Sequence, residues 1–172
     1  DTTGSANTLN MSDSRTIGNL LFGATGTRTT TFQILNTVAS NTLTFTNGFT
    51  ANGDAGALAT VEFFRVPIVI ANDQVWTVGG PAGSASGDAG IRLRGRATGV
   101  QSPVTINGTW TKNGPGQLSF VGNLITNGNV IVNQGSLKLN AGGTTLLTIT
   151  SPGSITVSNG ASLIFSRNSG TF

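Results

Sequence analysis

Apolar and polar residues alternate in short runs along this chain, and Asn or Gly ends most runs. The pattern is sharpest between Asn107 and Ala141. There Trp110–Lys112, Leu118–Val121, Val130–Asn133 and Leu137–Leu139 follow one another at near-regular intervals. A period of two is the mark of a strand with one face buried. Upstream, Ile17, Leu20 and Phe22 open the pattern, with a turn expected over Gly23–Gly26. Phe32 and Ile34, with Leu35 beside them, predict a second strand, and Leu43 and Phe45 a third that stops at Asn47-Gly48. Val61, Phe63, Val66, Ile68 and Ile70 follow, interrupted by Pro67, which lacks an N–H and belongs at a bend, a bulge or a strand start. Val75–Val78 predicts another strand, and Gly79–Gly90 a loop. Ile91, Leu93 and Gly95 then resume the alternation, with Arg92, Arg94 and Arg96 on the opposite face. Val104 and Ile106 lead into the sharp segment, and Leu146–Ile149, Ile155–Val157 and Leu163–Phe165 follow it. No window sustains the three-and-four apolar spacing of a helix.

More than a dozen strands are thus expected, with turn signals every ~8–12 residues, so the chain is all-β. Two architectures fit. Regular short strands suit a β-sandwich or barrel, and Asn-Gly favours antiparallel pairing locally because type I′ hairpin turns want positive φ twice. Repetition of one unit favours a β-solenoid, a right-handed parallel β-helix. Strands of three or four residues and turns carrying single left-handed candidates point the same way. At roughly 20 residues per coil the chain holds about seven to nine coils. The expected organisation is one solenoid domain over residues 15–172, clearest at 107–141, behind a polar segment at 1–14. That segment carries Leu9 and Met11 and is expected to pair as a strand rather than cap the stack.

Lys112, Gly114, Gly116, Leu118, Phe120 and Gly122 form the first half of a unit whose second half is Gly128, Val130, Val132, Asn133, Gly135, Leu137 and Leu139. Asn123–Asn127 reads as the spacer between them. This unit resembles the beta strand repeat associated with bacterial autotransporter passengers. About thirty residues match well, Phe120 standing where the family has an aliphatic. The motif is specific for a repeat type and not for an activity. The resemblance implies an exported chain that builds a long β-helical stalk at the cell surface.

Composition narrows the chemistry. Charged residues are 9%, far below the usual ~25%, which leaves few groups for acid–base work. Net charge is +3, too sparse for a nucleic-acid footprint. With no Cys and no His, disulfides, thiolate and histidine metal sites, and Ser–His or Cys–His mechanisms are excluded. Six acids remain: Asp1, Asp13, Asp54, Glu62, Asp73 and Asp88. Glycoside hydrolysis needs two carboxylates ~5–9.5 Å apart. Asp54 with Asp73, or Asp73 with Asp88, would meet only on neighbouring coils; the plainer reading is solvated loop acids making local turn bonds. No acid-rich loop supports calcium, and the Gly-rich stretch ending at Gly90 lacks the Lys-Ser/Thr of a phosphate loop. Trp76 and Trp110 stack sugars if exposed and pack the core if buried. Asn107, Asn133, Asn140 and Asn159 are expected at turns, stacked as ladders between coils.

The expectation is therefore a non-enzymatic, extracellular structural protein of the bacterial surface, without cofactor or metal. It would be a stalk or fibre subunit that stacks head-to-tail on copies of itself. A carbohydrate-binding or carbohydrate-active β-helix, and an adhesin passenger fragment that meets a host surface, are the alternatives. Arg92, Arg94 and Arg96 are the candidate interaction surface, for an acidic polysaccharide or a neighbouring subunit's carboxylates. The plainer reading makes them the wet face of one strand. Neither end shows a signal peptide or an apolar run long enough to span a bilayer. A leader removed on export would leave a start such as Asp1, and so would a fragment of a longer chain.

Overall fold

The computed structural model describes residues 7–23, 32–36, 38, 40–52, 61–64, 66–79, 90–94, 103–141, 148–150 and 153–167. These residues hold strands and turns and no helix. In chain order the strands are β1 (Asn7–Met11), β2 (Arg15–Gly23), β3 (Phe32–Asn36), β4 (Leu43–Asn52), β5 (Val61–Phe64) and β6 (Ile68–Ile70). There follow β7 (Gln74–Val78), β8 (Gly90–Arg94), β9 (Val104–Ile106), β10 (Trp110–Asn113), β11 (Gln117–Val121) and β12 (Leu124–Thr126). The last are β13 (Val130–Val132), β14 (Ser136–Ala141), β15 (Ile149–Thr150), β16 (Ile155–Val157) and β17 (Ser162–Arg167).

Every pairing among these strands is parallel. One sheet runs β1-β3-β5-β8-β11-β14-β17, its strands in chain order and each parallel pair joined by a crossover through the other sheet. The other joins β15-β12-β9-β6 to β7-β10-β13-β16 through β4, with β2 paired along β4. The first half of β4 pairs with β6 and its second half with β7. The chain therefore visits the sheets in a fixed rhythm, one strand in the first and two stretches in the second, and the parallel strands curl round one apolar core. Hairpins have no place here. Among the described residues the Asn-Gly pairs at 107, 113, 127 and 159 sit at turns between parallel strands instead, with positive φ at Gly114 and Gly160.

Three local expectations change. Asn47-Gly48 does not stop a strand: β4 runs straight through it from one stretch of the second sheet to the next. Glycine permits the passage, because a Cβ at Gly48 would stand 3.1 Å from the Val75 carbonyl oxygen. The register slips just opposite, between Ile17 and Asn19 of β2, as a bulge does where a strand bends. The spacer over Asn123–Asn127 contains β12, whose Leu124 and Thr126 are buried. Pro67 sits just before β6, where its missing N–H costs nothing and its carbonyl accepts from Leu43 N–H at 2.9 Å. The polar N-terminal segment pairs as expected, through β1 on β3, with Met11 buried.

Alternation predicts the core correctly in the sharp segment. Leu118, Phe120, Val130, Val132, Leu137 and Leu139 are all fully buried and belong to one cluster. An aromatic ladder runs through it, Phe45–Trp76 at 4.9 Å between ring centroids, Trp76–Trp110 at 5.8 Å and Trp110–Phe120 at 5.5 Å. Such pairs add about 0.5–1.5 kcal/mol each beyond the area they bury. Trp76 and Trp110 are both fully buried, so they pack and do not stack sugars. Buried Gln74 serves the first indole: it accepts from Trp76 Nε1 at 3.2 Å and donates to the Phe45 carbonyl at 2.6 Å.

Phe120→Ala is expected to lower unfolding free energy by about 3–5 kcal/mol, the usual loss for deleting a buried aromatic ring. Urea unfolding followed by circular dichroism measures it. An unchanged midpoint would place the ring outside the core.

Candidate functional site

The outer face of the second sheet carries a groove of about 580 Å³. Asn19, Leu21, Asn47, Asp73, Val75 and Thr109 are among the residues that line it. They come from β2, β4, β7 and the turns beside them. Parallel register sets Asn19 beside Gly48, Gly48 beside Val75 and Val75 beside Thr111, so the groove crosses successive strands. Leu21 is 66% exposed and Val75 50% exposed, leaving apolar surface between amides and hydroxyls. Asp73 is exposed, and its Oδ1 accepts the Thr109 backbone N–H at 2.7 Å. Asp73 is thus an exposed turn acid as expected, but its bond is not local: it reaches 36 residues along the chain and ties one turn to the next. Among the described residues no Lys or Arg lines the groove. Amides, hydroxyls and apolar patches suit a neutral polyol better than an anion.

The described residues include only some of the remaining sequence candidates. Arg92 and Arg94 lie in β8, where the backbone sets Arg92 beside Glu62 and Ser119, and Arg94 beside Phe64 and Val121. Arg96 lies outside the described residues, as do Asp1, Asp54 and Asp88 and the Gly80–Asp88 part of the expected loop. Asp13 pairs with Arg15 at 3.2 Å on the surface, with side chains 67% and 60% exposed, an arrangement worth ~0–1 kcal/mol. Among the described residues no three His, Cys, Asp or Glu side chains gather to hold a metal, and no helix is long and apolar enough to cross a membrane.

Asparagine ladders do form. Asn127 Nδ2 donates to Asn107 Oδ1 at 2.8 Å, the two residues being 20 apart in the chain. Asn133 Nδ2 donates to Asn113 Oδ1 at 3.0 Å, and Ser158 Oγ donates to Asn133 Oδ1 at 3.2 Å. Asn159 stands in an exposed turn outside these ladders, and Asn140 lies within β14 rather than at the expected turn.

Lys112 is the residue that the sequence reading passed over as a motif position. It is fully buried beside Trp76 and Val132 in register. Its Nζ donates to the carbonyl oxygens of Gly114 at 2.6 Å, Gln134 at 2.8 Å, and Gly116. All three ammonium donors are thereby used on backbone carbonyls of two successive turns. The signal was available: in Trp110-Thr111-Lys112, period two puts Lys112 on the same side as Trp110, which is the core side. Burial pushes the Lys112 ammonium down from 10.5 to about 8.

A scan against protein-family models, a search of curated proteins and a search of solved structures each return no match.

Lys112→Met keeps the stem and removes the donors, leaving buried carbonyls unserved at about 1–3 kcal/mol each, so a clear loss of stability at neutral pH is expected. The pH dependence has a definite sign. Below about 8 the folded and unfolded chains both hold the Lys112 proton. Between about 8 and 10.5 the unfolded chain binds more protons, so the contribution of Lys112 makes stability rise with pH in that window. Chemical denaturation across the window should show this rise in the parent and not in Lys112→Met.

Proposed function

We propose that this chain is a β-solenoid, a parallel β-helix whose coils each carry one strand of the first sheet and two stretches of the second. Right-handed winding follows from the general rule for parallel crossovers. Its role is structural: a stalk or fibre segment at the bacterial cell surface, without catalysis. The observation that carries the reading is the unbroken, in-register parallel stacking of seven strands in chain order in one sheet. An extended stack of this kind offers length and lateral surface rather than a converging pocket. The sparse charge and the resemblance to passenger repeats support the extracellular setting.

The same reading carries head-to-tail stacking. Among the described residues β17 pairs only with β14. Leu139 of β14 is fully buried, while Phe165, its register partner in β17, is 54% exposed. One more strand laid parallel on β17 would cover Phe165 as β17 covers Leu139, and β1 of a second copy is the proposed occupant. Such a heterologous contact does not close on itself and yields filaments. Sedimentation should show species that lengthen with concentration for the parent and a monomer for Phe165→Asp. A parent that stays monomeric at high concentration would sink the stacking.

The groove supports a second reading, recognition of a neutral glycan. Its amides and hydroxyls provide directional bonds, and Leu21 and Val75 provide apolar contact. Titration calorimetry with uncharged oligosaccharides should show binding that Asn47→Ala weakens and Val75→Asp abolishes. No heat with a panel of hexose and N-acetylhexosamine oligomers would remove this reading and leave the structural one standing.

A further inference from the structure

Asn is followed by Gly six times, at 47, 52, 107, 113, 127 and 159. In this dipeptide the glycine nitrogen most readily attacks the preceding side-chain amide, because no Cβ shields it. We propose that Asn159 is a site of spontaneous covalent modification, converting to aspartyl and isoaspartyl, while stacked turns protect Asn107, Asn113 and Asn127.

The step is redox-neutral. Gly160 N gives up its proton to solvent and bonds to Cγ of Asn159. The Cγ–Nδ2 bond breaks, and the nitrogen takes up a proton and leaves as ammonia. Water then opens the cyclic imide at either of its two C–N bonds. One opening yields aspartyl; the other yields isoaspartyl, which lengthens the backbone by a methylene. Both leave a carboxylate where an amide stood.

Asn113-Gly114 is a built-in comparison. Gly114 has φ 82° and Gly160 φ 81°, so the two dipeptides share a left-handed glycine. They differ in what surrounds them. Asn113 Oδ1 accepts from Asn133 Nδ2, and the Gly114 N–H donates to Gln134 Oε1 at 3.1 Å. Nucleophile and electrophile are both held by the following turn. Gly114 is also packed so tightly on the Val78 carbonyl that a Cβ would collide with it. The amides of Asn107 and Asn127 are bonded to each other, and Gly128 lies against the Gly108 carbonyl. Asn47-Gly48 lies inside β4 with Gly48 buried, and Gly53 lies outside the described residues.

Asn159 and Gly160 occupy the middle of a turn closed by Ala161 N–H donating to Ser158 O at 3.0 Å. Gly160 brings positive φ to the third position of this turn. Both residues are exposed, and a Cβ on Gly160 would meet nothing within 4 Å. Among the described residues neither the Asn159 side chain nor the Gly160 N–H has a hydrogen-bond partner. The turn that corresponds to Gly114 on the earlier strand is covered; this one is not.

The test ages the full chain at mildly alkaline pH in buffer and, in parallel, in concentrated urea. Peptide mass spectrometry follows loss of each amide, and isoaspartyl methyltransferase labelling identifies the longer linkage. In buffer, most copies should lose the Asn159 amide while Asn107, Asn113 and Asn127 remain intact. In urea the four sites should react at similar rates. Asn159→Ser should abolish the early phase. Asn113 reacting as fast as Asn159 in buffer, or Asn159 staying intact there while it converts in urea, would overturn the proposal. A difference that persists unchanged in urea would also overturn it, since flanking sequence and not the fold would then be the cause.

Discussion

Parallel, in-register pairing constrains everything else in this molecule. Each strand in such a stack both donates to and accepts from the strand on either side, in register, so each residue sits beside its counterpart on the next strand. Side chains therefore form columns. Leu118, Leu137 and Leu163 make one; Phe49, Trp76, Lys112 and Val132 make another. A residue must suit what lies above and below it as well as its own strand. Inward columns become apolar because the sheets curl over one core. Turn columns become Asn and Gly, since Asn amides donate and accept along the stack and Gly lets backbones approach closely.

Lys112 is the exception inside an apolar column. A buried charge ordinarily calls for an opposite charge. Here backbone dipoles take that place, and they belong to two turns: Gly114 and Gly116 from one, Gln134 from the next. The stem fills space between Trp76 and Val132 while the head ties the turns together. Shifting the register by one residue would bring a different set of atoms to the ammonium, so Lys112 specifies alignment as well as contributing contacts. Asp73 acts similarly at the opposite corner, where its carboxylate holds the Thr109 N–H.

Chemistry in this fold is consequently distributed along the outside rather than gathered. Residues on one outer face come from strands that are far apart in sequence and regularly spaced in height. The groove across Asn19, Asn47, Asp73 and Thr109 is of this kind. A long surface with repeated amides and hydroxyls suits lateral contact with an extended ligand or a neighbouring chain, and reactive groups such as the Asn159 amide are set by whether a neighbouring turn covers them.

Much of the fold was legible in the residues themselves. Alternation placed Leu118, Phe120, Val130, Val132, Leu137 and Leu139 inward, because the period of two is a property of the strand alone. It marked the strands upstream and downstream for the same reason, and it carried the signal for Lys112. What local pattern does not contain is the partner of each strand. Asn-Gly reads as a hairpin because a turn of positive φ reverses a chain in isolation; only the neighbouring strands decide whether it turns between parallel strands or continues one of them. Asn47-Gly48 is the clearest case, where pairing with β2, β6 and β7 carries β4 through the dipeptide. The groove, the carbonyl cage round Lys112 and the different surroundings of Asn113 and Asn159 likewise depend on atoms from neighbouring strands and turns. Sequence determined which residues face inward; tertiary stacking decided which of them meet, because register is a relation between strands and not a property of any one.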